Sequence, residues 1–291
     1  MNSDLHNEEV ESPSLGSPFT AVMPPPPANP APTWNVPLAF FNWAGSIAFS
    51  LLIPVVLTLL YAGLFAPEII ESFKNGQLTM TKPLMLVQTV GIFGGQLLSL
   101  LLSWIIVTGM GTRSFKEALG LQWVTQFKLP HSIALGVGMF LLSIMISQLL
   151  PKHETDLDMF LKFGLVVRVG LAFVATIGAP IQEEIVYRGV LYSALEKSLG
   201  TRWSLILVSL LFWVVHIPQY WKSPATWVAV LILSFVLTGL RAWSGKLLPC
   251  VATHLFFNGI QGILIVFAPE KSVTTEPAAQ PALFLWRALG L

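Results

Sequence analysis

Pro180-Ile-Gln-Glu-Glu-Ile-Val-Tyr-Arg-Gly189 puts Glu183, Glu184 and Arg188 inside a run that is otherwise as apolar as lipid. Two neighbouring carboxylates cannot both stay charged cheaply in a low-dielectric site unless a cation compensates them, and Arg188 is the cation at hand. If the stretch is helical, Glu184 and Arg188 stand at i and i+4 and pair on one face. Glu183 then points about 100° away and is free for other work. A purely structural ion pair locking helices together would account for part of this, but ionisable residues within a membrane segment are functional candidates by default.

Working outward, the chain of 291 residues is 54% hydrophobic and 11% charged, against roughly 25% charged in an ordinary soluble domain. That composition indicates an all-α, polytopic integral membrane protein. Net charge is +1 and no Lys/Arg-rich block exists, so nucleic-acid binding has no basis. The one cysteine, Cys250, excludes an intramolecular disulfide and a Cys-based metal cluster; within its apolar segment it reads as an inert packed thiol.

Residues 1–37 hold four acidic residues, no Lys or Arg, and a proline tract. They read as a disordered Pro-rich tail without the basic n-region of a secretory signal, and more as a solvated spacer than as a docking segment for a partner. Beyond it lie about seven runs of the ~20 apolar residues a membrane helix needs. They fall at 38–66, 84–109, 132–150, 163–198, 202–220, 224–241 and 247–268. Three of them make an N-terminal helical part, 38–162; the rest make a core, 163–268, followed by a tail, 269–291. Pro54 should kink the first run and Pro180 the fourth. The fourth is too long for one straight span, so a break is expected at Gly178-Ala-Pro180, with Pro180 starting a fresh helix. Residues 67–83 hold an interfacial helix, Pro67-Glu-Ile-Ile-Glu-Ser-Phe-Lys74, before an Asn75-Gly76 turn. Lys/Arg counts on the two sides are seven and seven, and discounting the C-terminal tail tilts the N-terminus weakly toward the cytoplasm.

Two further polar islands interrupt the apolar runs: Phe212-Trp-Val-Val-His216 and His254-Leu-Phe-Phe-Asn258. The turn at 199–202 makes runs four and five an antiparallel hairpin. Glu183 lies about as far before that turn as His216 lies after it, so the two should face each other at one depth. The seventh run starts on the same side, which puts His254 and Asn258 about 12 and 18 Å down it. His254 and Asn258 share a helix face, and together these groups predict an intramembrane catalytic cavity. Singly, each histidine is ordinary helix packing. Jointly, two histidines, two glutamates, an arginine and an asparagine are too costly to insert for packing alone. His6, His131 and His153 stand apart from them, in the tail and at span ends.

Such groups suit the attack of water on a carbonyl. A carboxylate desolvated among apolar side chains is a better general base, so Glu183 with His216 could hold and deprotonate a water, while His254 and Asn258 donate to the oxyanion that forms. A metal mechanism would use the same groups otherwise, with Glu183, His216 and His254 as Zn²⁺ ligands. No H-E-x-x-H helix is present, so no cofactor is required by the sequence and zinc stays an alternative.

Glu183-Glu184-x-x-x-Arg188, Phe212-x-x-x-His216 and His254-x-x-x-Asn258, in this order within hydrophobic spans, resemble the CPBP family (CAAX proteases and bacteriocin-processing enzymes, also called Abi) over roughly residues 168–267. The resemblance implies an intramembrane endopeptidase, similar to the CAAX prenyl endopeptidases. In those relatives the first glutamate and the histidine of the second motif activate water, and the last histidine and asparagine form the oxyanion hole. Carried over, the roles fall on Glu183, His216, His254 and Asn258, with Glu184 and Arg188 in support. The family is also labelled metalloprotease, so the resemblance leaves the metal open. It further implies a membrane-associated substrate, prenylated CAAX-type peptides among the candidates, and residence in the plasma membrane of a bacterium or the endoplasmic reticulum of a eukaryote. Two other classes compete. A non-proteolytic scaffold or immunity-type binding protein would not need all four polar groups. An ion or proton transporter would show internal repeats, and none is evident.

Overall fold

The computed structural model describes residues 32–74, 80–150 and 163–267. The Pro-rich tail up to residue 31, the Asn75-Gly76 turn, His6, His153 and the C-terminal tail lie outside these. Among the described residues the protein is all-α, with one isolated bridge between Val124 and Phe127.

Helix α1 (Val36–Phe65) starts at Asn35, whose side chain accepts the Leu38 N–H, with Pro37 in the first turn where its missing N–H costs nothing. It runs on through Pro54 as one helix. The short, amphipathic α2 (Pro67–Lys74) follows where the sequence puts an interfacial helix. Helix α3 (Lys82–Thr108) is capped by Thr81 and ends at Gly109 in the left-handed conformation. It lies close against α1 because Gly91 and Gly95 have no side chain there: a Cβ on either would stand 2.5 Å from the Pro54 Cα or 2.6 Å from the Phe49 carbonyl oxygen. Small residues at this spacing let membrane helices approach closely. After the short α4 (Phe115–Leu119) comes α5 (Leu129–Leu149), where His131 is exposed and Nδ1 accepts the Lys128 N–H.

The next 52 residues, Leu165–His216, form one helical tract. At ~1.5 Å per residue this is more than twice a ~30 Å hydrocarbon core. It is divided by Gly200, at φ 75° and ψ 168°, a conformation open to glycine and closed to most other residues. The tract therefore supplies two spans. With Val36–Phe65, Lys82–Thr108, Leu129–Leu149, Pro224–Ser244 and Leu248–Phe267, the total of about seven agrees with the sequence. We label its parts α6 (Leu165–Phe173), a π turn (Val174–Gly178), α7 (Ala179–Glu183), a second π segment (Glu184–Leu191) and α8 (Tyr192–His216). Helices α9 (Pro224–Ser244) and α10 (Leu248–Phe267) complete the fold.

Two expectations need correction. No break occurs at Gly178-Ala-Pro180: Gly178 and Ala179 keep helical angles, and the Ala179 N–H bonds the Val174 carbonyl five residues back. The helix widens where the ring of Pro180 would otherwise meet the carbonyl of Thr176, so the proline is absorbed by a π turn. The fifth span also ends earlier than residue 220. Helix α8 stops at His216, just before Pro218, and a run of turns leads to Pro224.

Candidate active site

Glu183 closes α7 and Glu184 opens the second π segment, so the acidic pair straddles the point where the helix widens again. Glu184 and Arg188 are fully buried, and Arg188 Nη1 donates to Glu184 Oε1 at 2.9 Å, the i, i+4 pair expected. The guanidinium is otherwise satisfied by α9. Its Nε donates to Thr238 Oγ1 at 3.2 Å, and its Nη2 to the Ser234 hydroxyl at 2.9 Å and carbonyl at 3.2 Å. Ser234 and Thr238 were missed by the sequence reading, although two hydroxyl residues at i and i+4 in an apolar run are a visible signal.

Phe212 is the floor of the site. It is buried, with Arg188 Cζ 4.4 Å from its ring centre and the rings of Tyr187, His216 and His254 at 5.0, 4.5 and 6.2 Å. An aromatic face under a guanidinium stabilises the buried charge, and the same ring packs against both imidazoles, tilted to His216 and edge-on to His254.

Glu183 and His216 are the accessible members, with side chains 19% and 17% exposed, 3.8 Å apart between Oε1 and Nε2. The hairpin about Gly200 therefore brings them to one depth, as equal spacing from the turn requires. His216 Nδ1 lies 2.7 Å from the Phe212 carbonyl oxygen, which can only accept, so Nδ1 carries a proton. His254, from α10, is buried. Its Nδ1 lies 2.8 Å from Glu184 Oε1, and its Nε2 lies 3.9 Å from Glu183 Oε2. Since Glu184 is the carboxylate of the arginine pair, His254 Nδ1 is the donor. Both imidazoles are thus held through Nδ1 and turn Nε2 toward opposite oxygens of Glu183.

Asn258 lies one turn beyond His254 and is tied to the π turn, its Nδ2 donating to the Ala175 carbonyl at 2.9 Å. That carbonyl is free for a local reason. Its α-helical donor, the Ala179 N–H, is diverted to Val174, and the donor one residue further on would be Pro180, which has none. In the second π segment, Trp34 Nε1 donates to the Val190 carbonyl at 2.9 Å. Backbone groups released within a membrane must be satisfied by other parts of the protein.

Glu183, Glu184, Arg188, His216 and His254 therefore form one contact network, and Asn258 joins it through the π turn. The donor types of Glu183, His216 and His254 suit zinc, and imidazoles held through their second nitrogen are usual in metal sites. Their spacing does not: 3.8 and 3.9 Å exceed the ~3.4 Å between two ligands of one tetrahedral zinc at ~2.1 Å. Among the described residues no group of three or more His, Cys, Asp or Glu side chains is gathered to hold a metal ion. Cys250 is buried, its thiol directed at the Leu237 carbonyl at 3.4 Å, and takes no part.

Residues 166–260 match the model of a family described as Type II CAAX prenyl endopeptidase Rce1-like. The matched third of the chain contains all seven residues of the acidic, phenylalanine-histidine and histidine-asparagine motifs. At the level of the family this supports a CAAX-type intramembrane protease, in agreement with the resemblance carried by the motifs. No curated protein and no solved structure matches the chain.

Proposed function

We propose that the protein is an intramembrane endopeptidase in which Glu183 and His216 activate a water for attack on a peptide carbonyl of a membrane-associated substrate. The observation that carries this reading is the partly exposed Glu183 carboxylate lying between two imidazole Nε2 atoms. With its Nδ1 proton given to Phe212, neutral His216 offers Nε2 as an acceptor, so one water can give one hydrogen to it and the other to Glu183. The oxygen lone pair is then left for the carbonyl carbon. Glu183 takes the proton as the C–O bond forms and returns it to the departing amine.

Charge balance divides the histidines. Two carboxylates and one guanidinium leave a net negative charge, and a low-dielectric site is neutral only with one imidazolium. His254 faces both carboxylates and is the better place for it. Its Nε2–H then donates to the oxyanion. The Ala175 bond uses one hydrogen of the Asn258 amide and fixes its plane, leaving the second for the same oxyanion. Asn258→Ala is expected to lower turnover by about 10²- to 10³-fold. It also strands the Ala175 carbonyl, at roughly 1 to 3 kcal/mol. Single-turnover kinetics beside thermal unfolding in detergent separate the two effects, and wild-type kinetics in Asn258→Asp would remove the oxyanion role.

The same orientation of the imidazoles supports a second reading, zinc held by Glu183, His216 and His254, but the spacing above favours the metal-free one. Hydrolysis by purified protein is therefore expected to survive exhaustive chelation, with elemental analysis well below one zinc per chain. Activity lost to chelator and restored by zinc alone would reassign both histidines as ligands.

Prenylated C-terminal peptides are the substrate class that the family similarity suggests. The direct test compares membrane proteomes of cells carrying the wild type and Glu183→Ala. A peptide bond cut only with the wild type is the expected result. Identical proteomes would turn the reading toward a non-proteolytic scaffold or immunity-type binding protein of the same fold.

A further inference from the structure

We propose that Gln96 of α3 is a positioning residue for Glu183, working with Ser99 on the helix that carries the carboxylate. The inference rests on Glu183 being the base. Helix α3 lies before residue 166, outside the stretch that matches the family. It nonetheless presents Gln96, Ser99 and Ser103 at i, i+3 and i+7, a polar stripe within an apolar span, and all three are buried.

Gln96 Nε2 donates to the Val174 carbonyl at 3.2 Å. Asn258 takes the next carbonyl, Ala175, from α10. The π turn is thus gripped from two helices at successive residues. Gly178 permits the approach: a Cβ there would lie 2.1 Å from Gln96 Oε1 and 3.0 Å from its Cδ, so the amide occupies the space a side chain would fill. One turn on, Ser99 Oγ accepts from Gln182 Nε2 at 3.2 Å. Gln182 immediately precedes Glu183, and turning the first toward α3 turns the second, about 100° further round, toward His216 and His254.

Helix α3 has the rigidity to act as a reference. It is set against α1 by Gly91 and Gly95, and Ser103 donates to Asn42 Oδ1 at 3.1 Å. The two histidines stand on other helices, α8 and α10. Rotation or slippage of α7 would therefore change the separation of Glu183 from the His216 imidazole, which is held by the Phe212 carbonyl of its own helix. A base must be held to within a fraction of an ångström for proton transfer.

The test uses the full chain in detergent micelles, with ¹⁵N-labelled imidazoles, comparing Gln96→Met, Gly178→Ala and Ser99→Ala with the wild type. Met fills the volume without the donor. Ala at 178 displaces the amide, and Ala at 99 removes only the oxygen that holds Gln182. The kcat of the first two is expected to fall by about 10- to 100-fold. KM should stay within about twofold, since the effect is on the reacting geometry rather than on binding. The His216 Nε2 resonance should shift in the direction that Glu183→Gln shifts it. Gly178→Ala combined with Gln96→Ala should be no worse than Gln96→Ala alone, because both act at one contact. A fall in Tm with kcat and the His216 resonance at wild-type values would overturn the proposal and leave Gln96 as packing. Displacement of that resonance in a protein that cuts no peptide would uphold the positioning role while removing the protease reading.

Discussion

Glu183→Gln is expected to abolish peptide hydrolysis, lowering turnover by between about 10² and 10⁴-fold, the range supplied by a positioned general base. The substitution keeps the shape of the side chain and removes its basicity. Stability should barely change. Glu183 is partly exposed and its two histidine contacts, at 3.8 and 3.9 Å, are too long for strong hydrogen bonds. Ion pairs of this kind contribute about 0 to 1 kcal/mol, so Tm should move by no more than about 2 to 4 °C. The measurements are turnover of a cleaved peptide and thermal unfolding in the same detergent. Turnover within tenfold of wild type would remove Glu183 as the base, whatever the stability.

Glu184→Gln should behave in the opposite way, losing stability first. Glu184 Oε1 receives both Arg188 Nη1 at 2.9 Å and His254 Nδ1 at 2.8 Å, and all three side chains are buried. Neutralising it leaves Arg188 with its Thr238 and Ser234 hydrogen bonds but no countercharge. Breaking one partner of a buried pair in this way costs about 3 to 5 kcal/mol. Adding Arg188→Met removes the stranded charge and should recover part of the loss, because the two changes are coupled through one contact. Activity should fall as well, through His254, whose ring loses the carboxylate that orients it. Equal stability of Glu184→Gln and Glu183→Gln would end the division between a working and a supporting carboxylate. A double variant less stable than the single one would show that the arginine earns its place through α9 alone.

These two outcomes separate what each level of description determined. Membrane class and the approximate spans were legible because apolar run length is a local property, and so were the motif residues, since an ionisable group in such a run stands out. Even the meeting of Glu183 and His216 was readable, because one turn with equal arms fixes depth. What the sequence could not supply was the shape of the helix between the motifs. Pro180 looked like a break because local rules give it no way to continue. The helix continues because the carbonyl it frees, Ala175, finds a donor far away in the chain in Asn258, while Gln96 adds a second bond to the neighbouring Val174 carbonyl. The spacing of Gln96, Ser99 and Ser103 is visible in the sequence, but its targets are not. Nor does the F-x-x-x-H spacing say that Phe212 lies under Arg188. In a membrane no water can satisfy a released backbone group, so which turns open is decided by which side chains the tertiary packing brings within reach.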